Sequence, residues 1–211
     1  EGSDLSEIVV AYDGMAVVVH HKNPVEKITT AELSRILTGE IRRWEQLTNA
    51  ESMKGVIEVM YQDSSDVSAF VDHRLLDAKG KRANFRRTNS SLSTLRSIVD
   101  QARSIGLVGI LWVDSARVPA KVLEVAEARQ GSDTTFRVPL ERIGKYSSPH
   151  PANIYRNYYP LKRAIYAYTF GPVASFASGF GTFVANKDGQ KFFLTKKIVP
   201  ATQPIRLKAP Q

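Results

Sequence analysis

The chain alternates between short β-branched apolar runs and stretches with helical apolar spacing. Residues 8–11 and 15–20 are two such runs, separated by Asp13-Gly14 as a turn or bulge signal, and Asn23-Pro24 closes the second. Thr29 and Glu32 stand three apart and read as a capping box. Behind them Leu33, Ile36 and Leu37 form the apolar stripe of a helix, with Gly39 suited to the position after its end. Trp44 and Leu47 suggest a further short helical turn. Residues 56–61 read as a strand and 62–65 as a polar link. Val67, Phe70, Val71, Arg74 and Leu75 then follow helical spacing, capped by Ser64 or Ser65. Another helix spans 91–102 through Leu92, Leu95, Ile98 and Val99. Residues 107–113 are apolar throughout, as in a strand buried on both faces. Residues 122–128 alternate as a strand does, although Pro119 ahead of them also suits a helix start. Residues 129–163 are rich in loop signals. Residues 164–170 form a Tyr-rich strand, 173–186 and 187–196 two helices, and 199–207 an extended tail. This alternation predicts an α/β class with mainly parallel pairing. Residues 1–20 and 164–211 read as one discontinuous body and 21–163 as another.

Composition narrows the class. At 211 residues the chain can bury a sizeable core, and 43% hydrophobic against 24% charged residues marks a globular sequence. Its longest apolar runs, 15–19 and 105–113, are too short to cross a bilayer. The absence of cysteine excludes disulfides, thiolate zinc sites, iron–sulfur clusters and cysteine nucleophiles. The sequence opens at Glu1 without a leader, which suggests a processed or truncated product. The net charge of +8 is uneven: residues 1–60 carry 6 basic and 10 acidic residues, 61–150 carry 14 and 10, and 151–211 carry 9 and 1. Such an excess suits an anionic partner, and equally a basic solubilising surface. Basic residues are not interleaved with aromatics as in RNA-binding surfaces, so nucleic acid is not an expected partner.

Several segments, taken in order, resemble the phosphate-binding protein of bacterial phosphate ABC importers, a type II periplasmic binding protein. Val10-Ala11-Tyr12-Asp13-Gly14-Met15-Ala16-Val17-Val18-Val19-His20 is similar to the family's strand before its first crossover, and Asn23-Pro24-Val25 follows as it does there. Thr38-Gly39-Glu40-Ile41 with Trp44, closing the helix of Leu33, Ile36 and Leu37, resembles the family's helix ending in "TGxIxxW". Ile105-Gly106-Leu107-Val108-Gly109 resembles its "AIGYV" strand. Tyr159-Pro160-Leu161-Lys162-Arg163 with Tyr166 resembles its "YPLxRPLY" return crossover. Phe183, Gly189-Gln190-Lys191 and Val199-Pro200 resemble its closing motifs, and the tail at 199–207 is similar to a divergent branch ending in "VPATxPIRL". The resemblance implies a two-lobed α/β fold that closes around phosphate or a related oxyanion. It places a hinge at Tyr12, Asp13, Gly14, Tyr159 and Pro160. It also implies an ABC permease as partner, an extracytoplasmic location with or without a lipid anchor, a monomer, and no cofactor.

Two departures bear on function. The family begins with a βαβ segment ahead of the Tyr12 strand, so the first lobe is expected to be incomplete in this chain. The family's phosphate loop reads "RxxGSGT", whereas the matching stretch here is Tyr61-Gln62-Asp63-Ser64-Ser65-Asp66-Val67. Tyr61 replaces the arginine, Asp66 the second glycine and Val67 the threonine. A strand–loop–helix junction of this kind cradles an oxyanion because the first N–H groups of a helix lack partners and its dipole is positive there. Ser64, Ser65 and Ser68 offer hydroxyls and Tyr61 a phenolic donor. Asp63 and Asp66 repel a dianion, unless one of them accepts a hydrogen bond from a protonated oxygen. The alternative is purely structural: Ser64 or Ser65 caps the helix and the two aspartates complement its dipole.

Other candidates carry less. His20 and His21 are adjacent and lie on opposite strand faces, which does not make a metal pair. His73 follows Asp72 without a third ligand at metal spacing, and His150 lies in a loop between Pro149 and Pro151. Tyr155, Tyr158, Tyr159, Tyr166 and Tyr168 either line a cleft or pack at the hinge. Arg86, Arg87 and Arg96 either supply cleft charge or form a solvated face. No nucleophile or acid/base constellation is present, so an enzyme is not expected. The leading expectation is an oxyanion-binding component of an importer. The alternative is a non-transporting protein of the same fold, an oxyanion sensor or interaction scaffold.

Overall fold

One continuous strand, β1 (Leu5–His20), runs through the whole first apolar stretch in a computed structural model that describes residues 5–48, 50, 52–76, 85–129, 137–171 and 176–202. Asp13-Gly14 therefore does not break it. The ideal Cβ of Gly14 falls 3.1–3.2 Å from Ile154, Pro149 and Tyr159, so the glycine serves close packing rather than a turn. β2 (Lys27–Thr29) then leads into α1 (Thr30–Leu37). Thr29 Oγ1 accepts from the Glu32 N–H at 3.1 Å and the Glu32 carboxylate accepts from the Thr29 N–H at 2.9 Å. Gly39 takes φ +78° just past the helix. Trp44–Gln46 form a single 3-10 turn.

β3 (Glu58–Gln62), α2 (Asp66–Phe70), β4 (Phe85–Thr88), α3 (Ser91–Asp100) and β5 (Ser104–Gly109) follow, with a π-helical turn Val71–Leu75 continuing α2. The apolar run 107–113 is not one strand: α4 (Ile110–Ala116) takes over at residue 110. Ile110, Val113 and Ala116 recur every third residue and pack on the cluster of Ala16, Val18, Met60, Leu95, Ile98 and Val108. A run this short fits either period, and packing decides. The alternating stretch near 122–128 also splits, into β6 (Ala120–Val122) and β7 (Glu124–Ala126), which join different sheets. Leu123 between them is fully buried, and its N–H donates to Val17 O at 2.8 Å. The loop-rich region contains α5 (Pro151–Tyr155), entered by proline behind the His150 cap. β8 (Lys162–Phe170), α6 (Phe176–Ala185), α7 (Lys187–Thr195) and β9 (Val199–Pro200) complete the order. The sequence-predicted helix start at 173–175 and the tail at 203–207 lie outside the described residues.

Pairing is mixed rather than mainly parallel. β3 pairs with β4 and β5 in parallel, as β2 does with β7, but β1 is antiparallel to β5, β6 and β9. Helical crossovers force parallel pairing for β3, β4 and β5. β1 and β5 are brought together by no local crossover, so local alternation does not set their direction.

By contacts the chain divides into two units, Glu1–Asp13 with Arg163–Gln211, and Gly14–Lys162. The larger unit holds the sheet order β4-β3-β5-β1-β6 and most of the buried side chains, Trp44, Met15, Leu95 and Ile98 among them. It also buries an ion pair between Arg74 and Glu127, whose other carboxylate oxygen accepts from Thr30 Oγ1 at 2.5 Å. In the smaller unit β9 pairs with β1 through Ala11 and Tyr12. There the fully buried Gln190 donates to Val10 O at 2.9 Å and Val184 O at 2.8 Å.

Candidate functional site

Because β3, β4 and β5 are parallel, their carboxyl ends share one rim, the usual ligand side of an open α/β sheet. The segment 61–68 lies on this rim. Tyr61 ends inside: it is fully buried and stacks on Phe85 with ring centroids 4.5 Å apart and 7° between planes. The chain then leaves β3 through Ser64, whose φ of +50° is the left-handed conformation that favours glycine, and Ser64 is exposed. Ser65 takes an extended conformation and caps α2. Its Oγ donates to Gln62 O at 2.7 Å and accepts from the Ser68 N–H at 3.4 Å. Ser68 Oγ accepts from the Ser65 N–H at 2.9 Å and donates to Ser65 O at 2.8 Å. Asp66 is exposed on the first turn.

The structure thus brings Ser65 and Ser68 together and engages both hydroxyls in a reciprocal cap, while Ser64 and Asp66 face solvent and Tyr61 belongs to the core. The next junction repeats the device. Ser90 Oγ accepts from the Ser93 N–H at 3.1 Å, and Ser93 Oγ from the Ser90 N–H at 3.0 Å, at the start of α3. The repeated S-x-x-S spacing is the sequence signal for both.

The three arginines weighed from sequence separate cleanly. Arg86 lies 3.7 Å from Glu58 Oε1, near the start of β3. Arg96 is exposed on α3. Arg87 stands opposite Tyr61 in the strand register, and its Nε is 3.3 Å from Asp63 Oδ2. A groove of about 770 Å³ opens at the other end of these strands, between Val56, Glu58, Phe85, Arg86 and Arg103. Its lining comes from the amino ends of β3 and β5, away from segment 61–68.

The residues expected at the hinge sit where the chain passes between units. Asp13, 2% exposed, receives Arg163 in a two-point pair, Nε to Oδ1 at 2.5 Å and Nη2 to Oδ2 at 2.9 Å. Tyr12 pairs with Val199 in the sheet. Tyr159 is buried and donates its phenol to Met15 O at 2.6 Å, and Pro160 is buried beside it. Lys162 is buried, donates to Asn157 Oδ1 at 2.8 Å, and has its pKa pushed down to about 8 by burial. Tyr155, Tyr166 and Tyr168 are largely exposed, and Tyr158 lies under Arg142 at 4.6 Å. His21 stands in the turn after β1 rather than on the opposite strand face from His20, and the two rings lie 4.2 Å apart; among the described residues no three acidic or imidazole groups gather as metal ligands. No helix among the described residues is long and apolar enough to cross a membrane.

A family model described as a PBP superfamily domain matches residues 1–188. The chain belongs to the PBP superfamily. This PBP superfamily chain is 26% identical over 208 residues to the phosphate-binding protein PstS of Bacillus subtilis, a match that covers 96% of the chain and 61% of that relative. It is 24% identical over 169 residues to protein SphX of Synechococcus elongatus, covering 77% of the chain and 45% of that protein. The chain therefore spans less than two thirds of the length of these curated relatives. Among solved structures, an ABC-type phosphate transport receptor from Vibrio cholerae superposes with a TM-score of 0.70 at 19% identity, covering 93% of this chain and 73% of that one. That likeness establishes the type II periplasmic-binding-protein fold of the superfamily.

Proposed function

We propose that this chain is the binding component, or part of one, of a phosphate importer. In this reading it works outside the cytoplasm, binds phosphate or a related oxyanion, and delivers it to an ABC permease in the membrane. The observation that carries the reading is the match to a phosphate-binding protein over 96% of the chain. Segment 61–68 is the proposed contact region, with Ser64, Ser65, Asp66 and Ser68 at the strand–helix junction and Tyr61 as its buried support. Tyr12, Asp13, Gly14, Tyr159 and Pro160 are the proposed hinge. The chemistry is binding rather than catalysis, and the protein acts as a monomer.

A second reading has a specific observation behind it. Ser65 and Ser68 bond each other in a local cap, and no glycine opens the backbone to an anion. A protein of this kind keeps the fold as a sensor or scaffold without transport. Calorimetric titration of phosphate into the 211-residue chain, with sulfate as control, separates the two. Phosphate-selective heat supports the importer reading. Silence with both anions overturns it in favour of the scaffold.

A further inference from the structure

We propose that Arg87 supplies the guanidinium that holds the oxyanion, a cation contributed by β4 beside a segment that has none of its own. This rests on the phosphate reading above. Residues 61–68 include Asp63 and Asp66 and no Lys, Arg or His. An anion held there needs a positive group from elsewhere, because two carboxylates oppose it.

The strand register identifies that group. Tyr61 lies directly opposite Arg87. Tyr61 stacks on Phe85, and the Arg87 guanidinium lies 6.0 Å from the centroid of the same Phe85 ring. Residues 85 and 87 share one face of β4, since side chains alternate along a strand. Arg87 therefore reaches the rim from the Tyr61 side. Its Nε is 3.3 Å from Asp63 Oδ2, which holds the head over the first residues after β3. The side chain is 75% exposed, and a guanidinium carries five N–H donors in a fork that matches two oxygens of a tetrahedral anion. Arg86, on the opposite strand face, turns to Glu58 instead. Among these arginines the geometry selects Arg87.

The test compares Arg87→Ala, Arg87→Lys and Arg86→Ala with the wild type by phosphate calorimetry at fixed ionic strength. The Arg87 Nε–H NMR signal of the wild type is followed in the same titration. Expected are a loss of affinity of about tenfold or more in Arg87→Ala, a smaller loss in Arg87→Lys, and Arg86→Ala within about twofold of wild type. The Nε–H signal moves with phosphate. Thermal unfolding midpoints of the variants stay level, because Arg87 is largely solvated. If the wild type binds phosphate and Arg87→Ala binds it equally well, the assignment of Arg87 is overturned and the phosphate reading stands. If the wild type binds no phosphate, both are overturned together.

Discussion

The two units differ most in what they bury. In Gly14–Lys162 strands, helices and loops close on one another, and Trp44, Tyr61, Tyr159, Met15 and Leu95 are sealed from water. In the smaller unit the buried apolar side chains among those described are only Val10, Ala11, Val199 and Pro200. That unit exposes Leu5, Tyr166, Tyr168, Phe170, Phe180, Phe183, Phe192 and Leu194. Gly181 packs against Ile8 and Thr169, so α6 covers one face of β1 and β8. Tyr166, Tyr168 and Phe170 alternate onto the other face, where the Tyr166 and Tyr168 rings lie 6.1 Å apart and a hydrogen bond to Glu7 raises the Tyr168 phenol pKa. Burial of apolar surface is the main favourable term in folding, so the smaller unit is expected to open before the larger one.

The sharpest way to break this contrast is to remove one large side chain from each unit. Trp44 is fully buried and donates its indole N–H to Arg103 O at 2.9 Å. Trp44→Ala is expected to cost about 3–5 kcal/mol in urea unfolding. Phe170 is 72% exposed, and Phe170→Ala is expected to stay within about 0.5 kcal/mol of wild type. Equal losses would show that the aromatic face of β8 is covered in solution.

Next in size is the charge that the smaller unit does bury. Asp13→Ala leaves Arg163, 19% exposed, without its carboxylate partner. Breaking a buried pair typically costs about 3 kcal/mol, since the surviving charge loses both water and partner. Amide exchange is the readout: protection should fall in residues 5–13 and 163–170 and persist around Leu95 and Ile98. A uniform fall would mean that the two units unfold as one.

What the sequence reveals and what it hides divide along the same physical line. The Thr29–Glu32 capping box, the Gly39 stop and the Ser65 cap depend on residues three or four apart, and all three are legible in the letters. The continuity of β1 through Asp13-Gly14 is not, because it rests on Arg163, 150 residues away, and on packing by Ile154 and Tyr159. The switch from strand to helix at Ile110 is hidden because the run fits both periods. At the candidate site the serines are visible, but the place of Arg87 follows from the pairing of β4 with β3, a non-local register. From composition alone Arg87 is indistinguishable from Arg86.

The two serine caps offer a smaller comparison within the larger unit. Ser65→Ala and Ser90→Ala each remove an acceptor for an N–H in the first turn, at an expected cost of about 1 kcal/mol apiece. The Ser90 bond, at 3.1 Å, is shorter than the Ser65 bond, at 3.4 Å, so Ser90→Ala should cost more. In a phosphate titration only Ser65→Ala should weaken binding. If neither variant changes affinity, the Ser65 hydroxyl is a cap and nothing else.

The last comparison lies at the boundary, where two adjacent basic residues meet opposite fates. Arg163 is paired with a carboxylate, whereas Lys162 donates to the neutral amide oxygen of Asn157. Burial lowers the Lys162 pKa from 10.5 to about 8. Between those values the unfolded chain keeps a proton that the folded chain has released. Unfolding free energy therefore rises with pH across that window, and the gain is lost again as pH falls through about 8. Below it both states are protonated and the fold carries the buried charge at a cost. Other lysines and tyrosines titrate in the same range, so the informative quantity is the difference between wild type and Lys162→Met. The variant should be the more stable of the two at pH 7, and its advantage should shrink as pH rises from 8 to 10.5. A difference that stays constant across that range would mean the ammonium is solvated and that the Asn157 bond alone sets its contribution.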